Sequence, residues 1–119
     1  MTEAEASTRA IVEIFATGDL DAVSSAVADD YVDHQGLGDL EIRGPHGFRQ
    51  VVEAVHTRSD VRVTIEDIVA AEDKAAVRLR WHGLNPSGGM VIRETLDLLR
   101  FAEGRLVEHW GAEIFRHES

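Results

Sequence analysis

The chain has no cysteine. Disulfides, thiol catalysis and cysteine-ligated zinc are therefore excluded. Aromatic residues are scarce, at 6%, and both tryptophans, Trp81 and Trp110, fall in the C-terminal half. No stretch approaches the roughly 20 consecutive apolar residues that a membrane helix needs. "MTEAEASTR" carries acids and no apolar run, so no signal peptide is read there. Positive charge is also short: 12 Lys and Arg stand against 22 Asp and Glu, a net charge of -10. Such a surface repels phosphate backbones and anionic lipid, so neither nucleic acid nor membrane is an expected partner. A neutral ligand entering an apolar pocket is little affected by it. The expectation is a soluble, cytoplasmic protein.

Several chemistries lack their motifs as well. "GLGDLEIRG" fails the dinucleotide pattern and does not read as following a strand, and no serine nucleophile elbow is present. There are six histidines, but no H-E-x-x-H and no pair at ligand spacing, so no metal is expected. "NPS" is not a glycosylation site because proline occupies its middle position.

What is present is an ordinary globular balance, 44% apolar and 29% charged over 119 residues. That is enough for one domain, residues 1–119, with a core of its own. The first half reads helical. Thr2 and Glu5 fit a capping box; Ala10, Ile11, Ile14 and Phe15 fall at helical spacing, and Gly18 supplies a stop. Asp19 caps a second helix with an inward stripe of Leu20, Val23, Val27 and Tyr31. "HQGLGDLEIRGP" reads as a loop, and Pro45 starts a third helix with Phe48, Val51, Val52 and Val55 inward. After Asp60 the period changes from 3.6 to 2. "VRVTIEDIV", "KAAVRLRWHGL", "MVIRETLDLLRF" and "RLVEHWGAEIF" are four predicted strands, separated by breakers short enough for antiparallel neighbours. The fold class is α+β, with three helices over one face of a curved antiparallel sheet.

"DDYVDHQ", "GPHGFRQVVEAV", "SDVRVTIEDIVAAEDKAAVRLRWHG" and "LDLLRFAEGRLVEHW", in that order, resemble the SnoaL-like polyketide cyclases of the nuclear transport factor 2-like superfamily. The resemblance runs from about Ile11 to Phe115. It implies a cone-shaped sheet enclosing an apolar pocket, a homodimer, and chemistry with neither metal nor cofactor. A pocket carboxylate would remove a proton next to a carbonyl, and the enolate would close a ring by an intramolecular aldol reaction. In such proteins the acid most often follows the tryptophan, in an "EHWD"-like string. Here that position is Gly111.

The candidate site follows from strand parity. His109, Gly111 and Glu113 share one face of the last strand. With no acid at Gly111, space opens for a bulkier ligand, and His109 or Glu113 takes over proton transfer; otherwise Glu113 is simply solvated. Asp97 is the one carboxylate on an apolar face with Leu99 and Phe101. It is either a base tuned by burial or a partner for Arg93 or for an arginine of the neighbouring strand. In "DDYVDHQ", His34 is either a donor to a substrate oxygen beside Tyr31 or a cap of the turn, and Asp33 reads as the cap. Ile14, Phe15, Phe48 and Trp81 are read as apolar wall. His82 reads as surface or dimer interface, His46, His56 and His117 as solvated, and Trp110 as lying on the outer face that a partner copy would cover.

The leading expectation is a cofactor-free general acid–base enzyme acting on a small apolar carbonyl compound, by cyclisation or isomerisation. Asp97, His109, Glu113 and His34 are its candidate catalytic residues. The rivals are an epoxide hydrolase on the same cone and a binding or assembly module that has lost its catalyst at Gly111. A polar cluster at the end of an open cavity would favour catalysis; a filled cavity would favour the module.

Overall fold

The computed structural model describes residues 1–37, 40–57 and 61–119, except for the side chains of 36, 37 and 40. Helix α1 (Glu3–Thr17) begins as its sequence dictates, with the Thr2 hydroxyl accepting from the Glu5 amide at 3.1 Å. The reciprocal half of the box does not form. The Glu5 carboxylate turns along the helix to Arg9, 3.2 Å away, because an i,i+4 cation competes for it. The inward stripe is Ala4, Thr8, Ile11, Val12 and Ile14; Ala10 is exposed, and Val12 occupies the face expected of it. Gly18 ends the helix in the left-handed region, at φ 73°, and donates its N–H to the Ile14 carbonyl.

His56, expected to be solvated, ties α1 to the third helix. Its Nε2 lies 2.6 Å from the Phe15 carbonyl, and its ring fills the space beside Gly18, where a Cβ would come within 3.2 Å.

The second helix is shorter than its spacing implies. Asp19 accepts from the Asp21 amide at 3.1 Å and starts a 3-10 turn at Leu20–Ala22, which leads into the single turn α2 (Val23–Ala26). Val27 and Tyr31 belong instead to strand β1 (Val27–Leu37). A separation of four residues fits one helical turn and two strand periods equally, and the pairing of β1 decides for the strand. The stretch read as a glycine-rich loop is the end of β1 and strand β2 (Leu40–Arg43), with Val32 opposite Arg43 and Asp33 opposite Ile42. "GLGDLEIRG" thus begins on the last two residues of β1 and includes β2, while residues 38 and 39 lie outside the described residues. Helix α3 (Gly44–His56) has Pro45 in its first turn, as predicted; Phe48 and Val52 are buried, and Val51 and Val55 half-buried.

The four predicted strands are β3 (Arg62–Ala71), β4 (Lys74–Leu84), β5 (Met90–Ala102) and β6 (Arg105–Glu118). With β1 and β2 they form one curved sheet in the order β2-β1-β6-β5-β4-β3. The expectation of an antiparallel sheet needs one correction: β1 runs parallel to β6. Periodicity reports which face a residue takes but not the direction of its strand, so the sequence pattern is blind to this pair.

The fold is α+β, with α1 against β3–β5 and α3 against β1 and β2. Between helices and sheet lies one core built on Val23, Val27, Tyr31, Phe48, Val52, Val77, Leu99, Phe101 and Leu106. Phe48 joins its two ends through edge-on contacts with Phe15 at 5.3 Å and Tyr31 at 5.7 Å; Trp81 extends the chain of rings from Phe15, also at 5.7 Å. Among the described residues, no helix is long and apolar enough to cross a membrane.

Gly18→Ala places a Cβ in left-handed backbone and against the His56 ring. It should destabilise the protein by about 1–2 kcal/mol in urea unfolding; an unchanged midpoint would show that neither contact constrains the α1 terminus.

Candidate acid–base site

Odd-numbered residues of four strands point under the helices. Tyr31 and Asp33 come from β1, Val77, Leu79 and Trp81 from β4, Thr95, Asp97 and Leu99 from β5, and His109 from β6; all nine line a cavity of about 320 Å³. Ile11, Phe15, Phe48, Val51 and Val55 close it from the helical side. The register explains which groups meet. Asp33 sits opposite His109 across the parallel pair, while Leu99 faces His109 and Asp97 faces Gly111 across the antiparallel one.

His109 is held from both sides. Its Nδ1 lies 3.1 Å from Asp33 Oδ1, and its Nε2 lies 2.6 Å from Asp97 Oδ1. The carboxylates have further support. Asp33 Oδ1 accepts from the Gln35 amide at 2.9 Å, and the Tyr31 hydroxyl bonds to Asp33. Asp97 Oδ2 accepts from the Thr95 hydroxyl at 2.7 Å, which in turn accepts from Trp81 Nε1 at 3.0 Å. Asp33 and Asp97 are each only 7% exposed, so these bonds stand in a low-dielectric setting where they are strong.

Burial alone would push the His109 pKa down. The hydrogen bonds to Asp33 and then Asp97, with their charges, overcome it and raise the pKa to about 9. His109 is therefore an imidazolium at neutral pH, clamped between two carboxylates. Burial, followed by the Asp33 charge, the bond to Asp33 and the Asp97 charge, raises the Tyr31 phenol, which stays protonated.

Gly111 does not open the pocket as expected. A Cβ there would lie 2.5 Å from Asp97 Oδ1, 2.6 Å from Gln35 Oε1 and 3.0 Å from His109 Nε2. The space is taken by the Asp97 carboxylate, which reaches across from the neighbouring strand to His109. A carboxylate does occupy the position above Gly111, supplied by β5.

Of the residues singled out in the sequence, Asp97, His109, Tyr31, Phe15, Phe48 and Trp81 converge on the cavity. Three do not. Glu113 keeps the parity of His109 in an unbroken ladder but stands four residues farther along β6, at its exposed end, where it pairs with Arg93 and Arg116 at 3.3 and 2.7 Å. His34 has even parity and faces outward, stacked on Trp110 with ring centroids 4.9 Å apart and bonded to Glu108 at 2.9 Å. Ile14 is buried in the core rather than in the cavity wall. Conversely, Asp33, read as a cap, belongs to the cluster. The usable signal is its parity with Tyr31, which a helix-and-loop reading of that segment hides. Arg93, the alternative partner for Asp97, goes to Glu113 instead.

The sequence profile of the SnoaL-like polyketide cyclases matches residues 5–113. The chain belongs to this family. It is 27% identical to the aklanonic acid methyl ester cyclase AcmA of Streptomyces galilaeus, covering 92% of this chain and 83% of that protein. Among solved structures, IdmH of Streptomyces antibioticus superimposes with a TM-score of 0.82 at 25% identity, over 95% of this chain and 93% of IdmH. An LEH-like epoxide hydrolase of M. tuberculosis shares the fold, with a TM-score of 0.76 at 20% identity over 93% of this chain and 82% of that one.

Two outcomes are expected of this cluster. Because the folded pKa of His109 lies above its unfolded value of 6.5, the clamp's stabilisation is fully present below pH 6.5 and is lost as pH rises through about 9. Thermal unfolding should show Tm falling across that window, and His109→Gln should flatten the fall; parallel curves for the two proteins would refute the clamp. Gly111→Ala should leave the protein folded but displace Asp97, lowering the His109 pKa read by NMR titration. An unchanged pKa would show that Gly111 is not what makes room for the carboxylate.

Proposed function

We propose that the chain is a cofactor-free general acid–base enzyme acting on a small, mostly apolar carbonyl compound, by aldol-type ring closure or a related isomerisation. The observation that carries this reading is the Asp33–His109–Asp97 cluster at the end of an open apolar cavity. A cone that served only as an assembly module would have no need of ionised groups there, since burying them costs free energy.

Asp97 is the base. It takes the proton from the carbon next to a substrate carbonyl, and the C–H pair moves into the enolate. Once Asp97 is protonated its hold on His109 weakens, and the Nε2–H of the imidazolium turns to the oxygen on which that charge collects, while Nδ1 stays on Asp33. The enolate carbon then bonds to a second carbonyl, whose oxygen becomes an alkoxide and takes the His109 proton. The 2.6 Å contact between His109 and Asp97 gives the proton abstracted at the start a direct route back to the imidazole. The sum is an isomerisation that neither consumes nor releases water. Asp33 keeps the imidazole oriented and favours its charged form, as a buried carboxylate does for a catalytic histidine. Phe15, Phe48 and Trp81 exclude water from the enolate.

A second reading is favoured by one feature, two carboxylates flanking a single cation. In an epoxide hydrolase, one carboxylate would activate water while the imidazolium protonated the opening oxygen. Incorporation of ¹⁸O from labelled water distinguishes the two, being present for hydrolysis and absent for cyclisation. We further place the homodimer contact on the outer sheet face, where Leu96, Leu98 and Trp110 are 49%, 39% and 36% exposed; sedimentation equilibrium at micromolar concentration reads this directly.

A thermal-shift panel of anthraquinone-like polyketides, terpene epoxides, steroid enones and β-keto esters should yield a stabilising ligand that the protein turns over. With it, Asp97→Asn should lower kcat by about 10²–10⁴-fold while the fold persists. kcat/KM should decline as pH rises through about 9, where free His109 loses its proton. Activity within tenfold of the parent in Asp97→Asn would remove Asp97 as the base.

A further inference from the structure

Beyond the inner cavity lies a second chamber of about 330 Å³, under the β4–β5 hairpin and the end of α3. The two share Val51, Val55, Trp81 and Arg93 as wall, so they adjoin at the Trp81 ring and the Arg93 guanidinium. The inner chamber alone is at the small end of ligand sites, which run from about 300 to 1,000 Å³. A polycyclic substrate seated on His109 and Asp97 would extend past Trp81 into the outer one.

The two chambers differ in charge. The deep end of the inner one carries two carboxylates, Asp33 and Asp97, against one imidazolium, and repels an anion, whereas Arg93 stands at the other end, on the wall shared with the outer chamber. The outer one sets Arg93 and Arg116 against Glu118, with Glu113 bridging the two guanidiniums from its edge. Arg93 is unusual among these groups. Its recorded hydrogen bond runs from Nε to Glu113 Oε1 at 3.3 Å, and neither terminal nitrogen has a partner among the described residues. Glu113 is shared with Arg116, which holds it more closely at 2.7 Å. An Arg93 oriented through Nε, only a third exposed and with both terminal nitrogens available, presents the planar fork that matches a carboxylate.

We propose that the outer chamber is a carboxylate subsite of the substrate cavity, with Arg93 as its specificity-determining residue. The substrate class is then a polycyclic or extended carbonyl compound bearing a free carboxylate, its apolar body inward and its acid on Arg93. Glu113 is the internal competitor that occupies Arg93 in the empty site. This rests on the inner chamber being the substrate site.

Calorimetric titration at pH 7 with anthraquinone-2-carboxylate and anthraquinone-2-carboxamide tests both levels. The parent protein should bind the acid at least tenfold more tightly than the amide. Arg93→Gln should abolish that preference while leaving the amide Kd unchanged, and Glu113→Gln should widen it by removing the competitor. Equal affinities in the parent, a preference that survives Arg93→Gln, or no widening in Glu113→Gln each overturns the subsite while leaving the inner site standing. Should Arg93→Gln lose the amide as well, Arg93→Lys must retain amide binding and part of the preference, or the assignment to Arg93 falls. Binding of neither compound to the parent overturns the subsite and the inner chamber together.

Discussion

The arrangement depends on one buried imidazolium shared by two carboxylates. Three ionisable groups have been taken out of water, which is favourable only if each is met at short range by a group of opposite charge or by a donor. That condition fixes the surroundings. Asp33 and His109 can meet only if β1 lies beside β6, and Asp97 can reach His109 only if β5 lies on its other side in the observed register. Thr95, Trp81, Tyr31 and the Gln35 amide then satisfy the outer faces of the carboxylates. Apolar rings close the remaining side and keep the dielectric low, which in turn strengthens the bonds that justify the burial.

Gly111 shows how small a change such a cluster turns on. Where a side chain would project into the site, the chain has none, and the carboxylate of the adjacent strand fills the vacancy. A functional group can thus change strand while staying near the same point in space, because residues paired across a sheet have their side chains only about 5 Å apart. A reading confined to one strand sees a missing acid, whereas a reading across the sheet sees one supplied by its neighbour.

That difference sets what was legible in the sequence. β4 matches its predicted bounds, and the start of β5 and both faces of β6 follow from alternation, so Asp97 and His109 could be placed inward from the sequence. α1 and α3 announce themselves through Thr2, Gly18 and Pro45. The segment from Val27 to Arg43 was not legible, since Val27 and Tyr31 satisfy two periods and the glycines near 36 mask a hairpin. With it went Asp33, the third member of the cluster, and the parallel neighbour of β6. Glu113 was misplaced for another reason: parity gives the face of a strand but not how far along it the cover of the helices extends, and Glu113 lies past that cover, beside Arg93 and Arg116. Strand direction, register and irregularity are properties of pairing, and no single segment carries them.

The parallel contact between β1 and β6 has a consequence for how the molecule comes into being. Strands β3 to β6 form a meander whose partners are near neighbours in the chain, and such pairings close small loops. Asp33 and His109 are 76 residues apart. Joining them requires a much larger loop to close, and contacts of that span are the ones that slow folding. During synthesis, the helices and the first hairpins emerge before any residue of β6 has been made. The charged cluster is then incomplete, and Asp33 has no imidazolium to face. The acid–base site is therefore not a local motif on a finished scaffold; it records that the early and late parts of the chain have found each other.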